Sequence, residues 1–344
     1  MRHFARICLA VTGILLSAPA HGAKTVAEAA ASLAEKLPAG CIVTAEQTQT
    51  GTEFALAGQS PDPKQAPANL VFEIASLTKI FTGLLLAQAT IEKQVTLETT
   101  VAELRGKDCA FADPRVGQIT LKQLSTHTSG LPRMPANFDG GFTGYATWDD
   151  AKLDAWLAKV TLSKDGPYPC TYSNVGVALL GQLLARRYQQ SWSDCVVAKI
   201  CRPLGLNHTL PSHLPAPGCL APPFAGAQPS IVTIFKSFAP AGSLRSTAAD
   251  LLKLGQAFAH PEKTPLADAL KLATQPHAAA NTTGGKIGLG PFIQGPAGST
   301  QWVHFGATAG YRSALQITPA TDTIRVVLIN NTTLEGSVVL QAVR

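Results

Sequence analysis

Charge is scarce in this chain. Only 15% of its 344 residues are Asp, Glu, Lys or Arg, and they are scattered, with no Lys/Arg-rich run. That excludes the basic patches by which proteins hold nucleic acid or an anionic membrane surface. It does not imply disorder, because 46% of the residues are hydrophobic and disorder goes with low hydrophobicity. There is no C-x-x-C and no H-E-x-x-H, and the 8 histidines are dispersed, so no metal or other cofactor is expected. After the first 23 residues no stretch is apolar enough to span ~30 Å of hydrocarbon. No internal repeat is present.

The length suits one large domain or two closely packed ones. Residues 1–23 read as a secretory signal. Arg2 and Arg6 give a positive start, Ile7 to Leu16 a short apolar run, and SAPAHGA the small residues of a cleavage site. The expected product is a monomer outside the cytoplasm, periplasmic in the simplest case. Without Arg2 and Arg6 it carries 26 basic and 22 acidic residues, a net +4. Six cysteines then remain: Cys41, Cys109, Cys170, Cys195, Cys201 and Cys219. An even number in an oxidising compartment predicts up to three disulfides. Cys195 and Cys201 are the first pair to test, being joined by a short segment.

TVAEAAASLAEKL has the pattern of an amphipathic helix. CIVTAEQT and TEFALAG read as a hairpin, and NLVFEIA as a third strand. From Ser76 the period changes to that of a buried helix, through Leu77, Ile80, Phe81, Leu84, Leu85 and Ala89. Residues 96–240 look mainly helical, with a Pro/Ala/Gly-rich loop at 211–230 that a disulfide through Cys219 would hold. STAADLLKLGQAFAH is a helix capped at Ser246 or Thr247. Strands return in KIGLGPFI, WVHFGAT, YRSALQIT and TIRVVLINN, the last two as antiparallel neighbours, and LEGSVVLQAV reads as a closing helix. The fold class is therefore α/β (α+β): an antiparallel sheet flanked by helices, built from residues 24–95 and 241–344. Residues 96–240 are inserted as a mainly helical domain, with the site between the two.

Three short motifs carry chemistry. Ser76-Leu77-Thr78-Lys79 opens the buried helix. A first-turn serine lies beside free N–H groups, and Lys79, three residues on, shares its face. An amine in a dry cleft can lose its charge and accept the serine proton. The bland alternative is a capping serine with a solvated lysine. Tyr172-Ser173-Asn174 opens a second helix, where a phenol and an amide can face a cleft, or where a residue simply caps. His304-Phe305-Gly306 ends a strand. There His304 offers a donor, Gly306 admits a close backbone, and Ala307 has an N–H for an oxyanion. Alternatively, His304 is structural.

In this order and spacing, the triple resembles the penicillin-recognising serine hydrolases, in the class C β-lactamase and D-alanyl-D-alanine carboxypeptidase branch. IASLTK, LSTHTSGLPRMP, YSNVGVALLGQLL, CRPLGLNHT and GSLRSTAADLLKL are similar to the same branch, over roughly residues 30–330. The resemblance implies a β-lactamase/transpeptidase-like fold. It makes Ser76 the acylated nucleophile, with Lys79 and Tyr172 sharing the general-base role. Asn174 would bind the substrate amide, and the Ser76 and Ala307 N–H groups would form the oxyanion hole. One such donor is worth ~2.7–4 kcal/mol. The chain departs from the branch where Lys-Thr-Gly is usual. Here His304 supplies a donor, and a charge if protonated, while Phe305 lacks the hydroxyl that would bind a carboxylate. The implied activity is hydrolysis of peptides ending in D-Ala-D-Ala through an acyl-enzyme. A β-lactamase, a family esterase and a penicillin-binding sensor are the alternatives. His127 reads as a turn-fixing residue, Glu73 as part of a strand, and the aromatics of 138–148 as a cleft wall or loop packing.

Overall fold

The computed structural model describes residues 25–106, 110–214, 218–280, 285–296 and 298–334. The signal-like segment, Cys109 and nearly all of LEGSVVLQAV lie outside them. The helix Val26–Ala34 starts on a capping box between Thr25 and Glu28. The strands β1 (Cys41–Thr48) and β2 (Gly51–Gly58) pair antiparallel as expected. The others are β3 (Val71–Glu73), β4 (Leu210–Pro211), β5 (Phe224–Ala225), β6 (Gln228–Pro229) and β7 (Leu244–Thr247). They are followed by β8 (Ala278–Ala279), β9 (Lys286–Ile287), β10 (Phe292–Gln294), β11 (Gln301–Ala307), β12 (Arg312–Thr318) and β13 (Thr323–Ile329).

The two ends of the chain close one antiparallel sheet in the order β2-β1-β13-β12-β11-β10-β9-β8. Both of its faces are covered. Ile324, Val326 and Leu328 of β13 point to the main core, with Leu251 and Phe258 of the helix Ala248–Ala259. Val327 and Ile329, on the other face, meet Leu33 of the first helix. That double burial explains why β13 reads as a continuous apolar run rather than an alternating one. Each such side chain contributes about 1.5–3 kcal/mol when fully buried. The expected third strand, β3, is real but does not join this sheet. It pairs with β7, which also holds β4, in a separate three-stranded sheet.

The helix Thr78–Ile91 runs through the core and is buried nearly all round. Gly83 lets it touch the sheet side, because a Cβ there would lie 2.2 Å from the Leu289 carbonyl oxygen. The helix Asn174–Tyr188 crosses beside it. The Ala248–Ala259 helix is capped by Thr247, whose side chain accepts from the Asp250 N–H. The helix Leu121–Ser125 ends at Ser125, and His127 beyond it takes a left-handed conformation with φ 60°. Among the described residues no helix is long and apolar enough to cross a membrane.

The cysteines correct the disulfide expectation. Cys41, Cys195, Cys201 and Cys219 are free thiols, so three bridges are not formed. Cys195 and Cys201 are not joined by a loop; they sit on consecutive helical turns, Trp192–Val196 and Val197–Cys201. The continuous helical path carries Cys201 along the axis away from Cys195, and both thiols stay free. The 211–230 loop is held by hydrogen bonds instead. Val71 N–H donates to the Cys219 carbonyl and Ala221 N–H to the Val71 carbonyl, both at 2.9 Å, and Asn330 Nδ2 donates to the Pro222 carbonyl at 2.7 Å. Unfolding without reductant, followed by alkylation and peptide mapping, should return Cys195 and Cys201 as separately alkylated peptides. A linked peptide would contradict the helical register.

Candidate active site

Ser76 lies in a short 3-10 turn, Ala75–Leu77, that feeds the core helix. The turn is pinned on three sides. Ile74 N–H donates to the Leu244 carbonyl at 2.9 Å, Ser313 Oγ donates to the Ile74 carbonyl at 2.8 Å, and Thr78 Oγ1 accepts from the Leu244 N–H at 3.1 Å. Ala75 is held at φ 50°, an unusual value for a residue with a Cβ. Ser76 is thus offered on a rigid, strained corner.

Lys79 is 2% exposed. Its Nζ lies 3.0 Å from Ser76 Oγ and donates to the Ala241 carbonyl at 2.7 Å. Burial, helped by the nearby Arg133 cation, drives its pKa well below the usual lysine value. A neutral Lys79 keeps an N–H for Ala241 and turns its lone pair to the Ser76 hydroxyl.

Ser173 is the N-cap of the Asn174–Tyr188 helix, accepting from the Gly176 N–H at 2.9 Å and donating to the Pro132 carbonyl at 2.6 Å. Its flanking residues are thereby freed for the cleft. Asn174 Nδ2 lies 3.4 Å from both Tyr145 Oη and Met134 Sδ. The Tyr172 ring lies against the Lys79 amine and the Arg133 guanidinium, with Lys79 Nζ 4.8 Å and Arg133 Cζ 5.1 Å from its centroid. Burial raises the Tyr172 phenol further than its contact with the Ser76 hydroxyl lowers it. Tyr172 is therefore a protonated phenol. His127 does fix the turn. Its Nδ1 accepts from the Ser173 N–H at 3.2 Å, and its carbonyl accepts from the Thr171 N–H at 2.8 Å.

The third wall is β11. His304 is 2% exposed, with its ring 6.5 Å from Tyr172. Burial, with Lys79 adding to it, holds its pKa at about 3. It is consequently neutral, and the charge envisaged for it from the sequence is absent. Its Nδ1 lies 2.9 Å from the Phe305 carbonyl oxygen, which makes it the N–H donor and leaves Nε2 an acceptor. Gly306 is required by the protein's own backbone. A Cβ there would fall 2.6 Å from the Ile74 oxygen and 2.8 Å from the Ala75 Cβ, so only glycine lets β11 reach the nucleophile turn. Thr308 N–H donates to the Tyr311 carbonyl. Ala307 and Arg312 are one step along the ladder, a non-hydrogen-bonded pair. The Ala307 N–H therefore points away from β12, on the side where β10 has ended at Phe292↔Val303. That is the orientation an oxyanion donor needs. Phe305 is exposed at the rim.

Arg133 and Tyr145 went unassigned in the sequence. Arg133 stands in LSTHTSGLPRMP, and nothing local aims its guanidinium at Tyr172. Of the 138–148 aromatics, Phe138 and Trp148 pack against Phe238, while Tyr145 also reaches Asn174. Glu73, on β3, is buried behind the nucleophile turn, its Oε1 accepting from the Thr233 N–H at 2.7 Å. Burial raises its pKa to about 7, against smaller opposing effects of Thr308, Thr233 and Arg245.

Comparison with known proteins places this geometry among relatives. The family model described as Beta-lactamase matches residues 21–343. The chain is 27% identical over 292 residues to penicillin-binding protein 4 of Amycolatopsis lactamdurans, covering 76% of this chain and 72% of that protein. It is 28% identical over 223 residues to the probable fimbrial assembly protein FimD, serogroup H1, of Dichelobacter nodosus. That match takes in 63% of this chain but spans only about half, 55%, of the relative's length. A crystal structure of a D-stereospecific amidohydrolase from Streptomyces sp. shares the fold at TM-score 0.76 and 21% identity, covering 91% of this chain and 96% of that one.

The Glu73 carboxyl makes stability depend on pH. Its folded pKa of about 7 exceeds the ordinary 4.5, so the folded state binds the proton more tightly. Its contribution is full below pH 4.5 and is lost as pH rises toward 7, about 3 kcal/mol in all. Glu73→Gln keeps the acceptor for Thr233 and removes the titration. In urea unfolding the variant should gain on the wild type by about that amount between pH 4.5 and pH 8. A pH-independent difference would refute the assignment.

Proposed function

The chain belongs to the beta-lactamase family, and we propose that it is an exported serine hydrolase that works through an acyl-enzyme on peptides ending in D-amino acids. The observation that carries this reading is the buried Lys79 Nζ, 3.0 Å from Ser76 Oγ. A hydroxyl beside an uncharged amine in a dry site is an activated nucleophile. Lys79 takes the Ser76 proton as Oγ attacks the scissile carbonyl. The Ser76 and Ala307 N–H groups receive the developing oxyanion. Tyr172, a neutral phenol, gives its proton to the leaving amine and is reprotonated from the Lys79 ammonium. Water then releases the acyl group by the reverse relay.

Substrate choice rests on what β11 lacks. With His304 neutral and Phe305 apolar, that strand carries no charge for a substrate carboxylate. The exposed Arg133 lies over the ring of Tyr172, whose hydroxyl contacts Ser76. It can hold the free carboxylate of a C-terminal D-residue, with Asn174 on the adjoining amide. A D-configured substrate is further supported by the D-stereospecific amidohydrolase that shares the fold. The signal-like first 23 residues support export.

Incubation with a penicillin should give a covalent adduct on Ser76 by mass spectrometry. No adduct in the wild type, or the same adduct in Ser76→Ala, would overturn the nucleophile assignment. Multiple turnovers should follow on a D-Ala-D-Ala peptide. A chromogenic cephalosporin or a p-nitrophenyl ester as the preferred substrate would instead indicate a β-lactamase or an esterase. A stoichiometric adduct without turnover would indicate a penicillin-binding sensor. Arg133→Gln should raise KM for a peptide with a free C-terminal carboxylate by about tenfold or more. It should leave KM for the p-nitrophenyl ester, which has no carboxylate, unchanged. An equal rise for both would remove Arg133 from carboxylate binding.

A further inference from the structure

The Ala307 N–H is flanked by two residues that both lead back to β3. On one side Gly306 packs against the Ile74 carbonyl oxygen. On the other stands Thr308, 1% exposed. Its N–H donates to the Tyr311 carbonyl at 3.1 Å, and its carbonyl accepts from Arg312 Nη1 at 3.1 Å. These bonds tie the Thr308 backbone to residues 311–312. Its hydroxyl serves the Glu73 carboxyl, whose ionised form it favours.

Glu73 ends β3 three residues before Ser76 and is 1% exposed. Its Oε1 accepts from the Thr233 N–H at 2.7 Å. In the same segment Ser230 Oγ donates to the Ala309 carbonyl at 2.7 Å. Glu73, residues 230–233 and residues 308–309 therefore form a closed circuit beside the nucleophile turn. Two further side chains act on the carboxyl. Arg245, its register partner on β7, donates to the Leu214 carbonyl at 3.4 Å, and Tyr311 donates its hydroxyl to the Ala221 carbonyl at 2.6 Å. A carboxyl buried in this way is costly, and an apolar side chain would pack there at lower free energy. What the carboxyl adds is a link between the segment that leads to one oxyanion donor and the strand that carries the other.

We propose that Glu73 and Thr308 are positioning residues for the oxyanion hole. Through them β3 fixes the Ala307 peptide relative to the Ser76 N–H, so that both donors meet a single oxygen. The inference rests on the acyl-enzyme reading, because the two donors it concerns are the ones that reading uses. Loss of one oxyanion donor costs about 10²–10³ in kcat, and a donor turned off its target loses part of that.

The test compares the wild-type full chain with Thr308→Val, Thr308→Ser and Glu73→Met. The substrate is whichever of the D-Ala-D-Ala peptide and the p-nitrophenyl ester the wild type turns over. Thr308→Val keeps the shape and removes the hydroxyl. It should lower kcat by about tenfold or more with KM within about twofold, the mark of an interaction made in the transition state. Glu73→Met should do the same, and Thr308→Ser, which keeps the hydroxyl, should restore most of the loss. A boronic acid bonds to Ser76 Oγ as a tetrahedral anion, so its Ki should rise by the factor by which kcat/KM falls. A merely structural role would lower the melting temperature without that parallel. Thermal melting checks each fold, and if Glu73→Met does not fold, the two Thr308 variants decide alone. An unchanged kcat in Thr308→Val, a change confined to KM, or a loss that serine does not restore overturns the positioning role. A penicillin adduct on Ser76 leaves the hydrolase reading standing in that case, whereas no adduct in the wild type overturns both.

Discussion

Lys79 is an amine that the fold refuses to hydrate. It touches the Ala241 carbonyl and the Ser76 hydroxyl, and among the described residues no carboxylate pairs with it. An ammonium there would lose most of its hydration with no opposite charge in return. The neutral amine is the stable form, and it is also the form that can take a proton. The surrounding groups follow from the same constraint. His127 and His304 are driven neutral chiefly by burial. Tyr172 keeps its proton for want of solvent. The centre is a set of neutral groups in which a single proton can move.

Dryness requires close packing from several directions, and each direction uses a different part of the chain. The helix carrying Lys79 lies in the core and is buried nearly all round. The turn Ala239–Gly242 caps it with carbonyls, Pro240 for Thr82 and Ala241 for Lys79, each accepting at 2.7 Å. From the sheet side, Gly306 brings β11 within contact of the nucleophile turn, and Ser313 of β12 bonds that turn directly. A side chain at 306 would push the sheet off the turn and let water reach the amine. The dry setting of Lys79 therefore rests on a glycine packed against the turn that carries Ser76.

Much of this was legible in the residues. Ser76 and Lys79 are three apart on an apolar helical period, so local geometry alone sets them side by side. The strands of both chain ends showed as apolar runs and turned out to form one sheet. Other features could not be read, for identifiable reasons. Cys195 and Cys201 look bridgeable when the segment between them is taken as a loop, and a continuous helical path removes that option. His304 could be judged as a donor, but its charge depends on burial and on Lys79, far away in sequence. Arg133 carries no local mark of a role, because its position over Tyr172 arises from the meeting of two loops.

The sequence by itself determined the family, the order of the three motifs, and the placing of Ser76 and Lys79 side by side on one helical face. These depend on near-neighbour spacing, which helical and strand periods fix. Only the tertiary structure decided which groups are charged, what Gly306 is for, and where the Ala307 N–H points. Charge state and donor direction are set by desolvation and by strand register, both of which depend on residues brought together from distant parts of the chain.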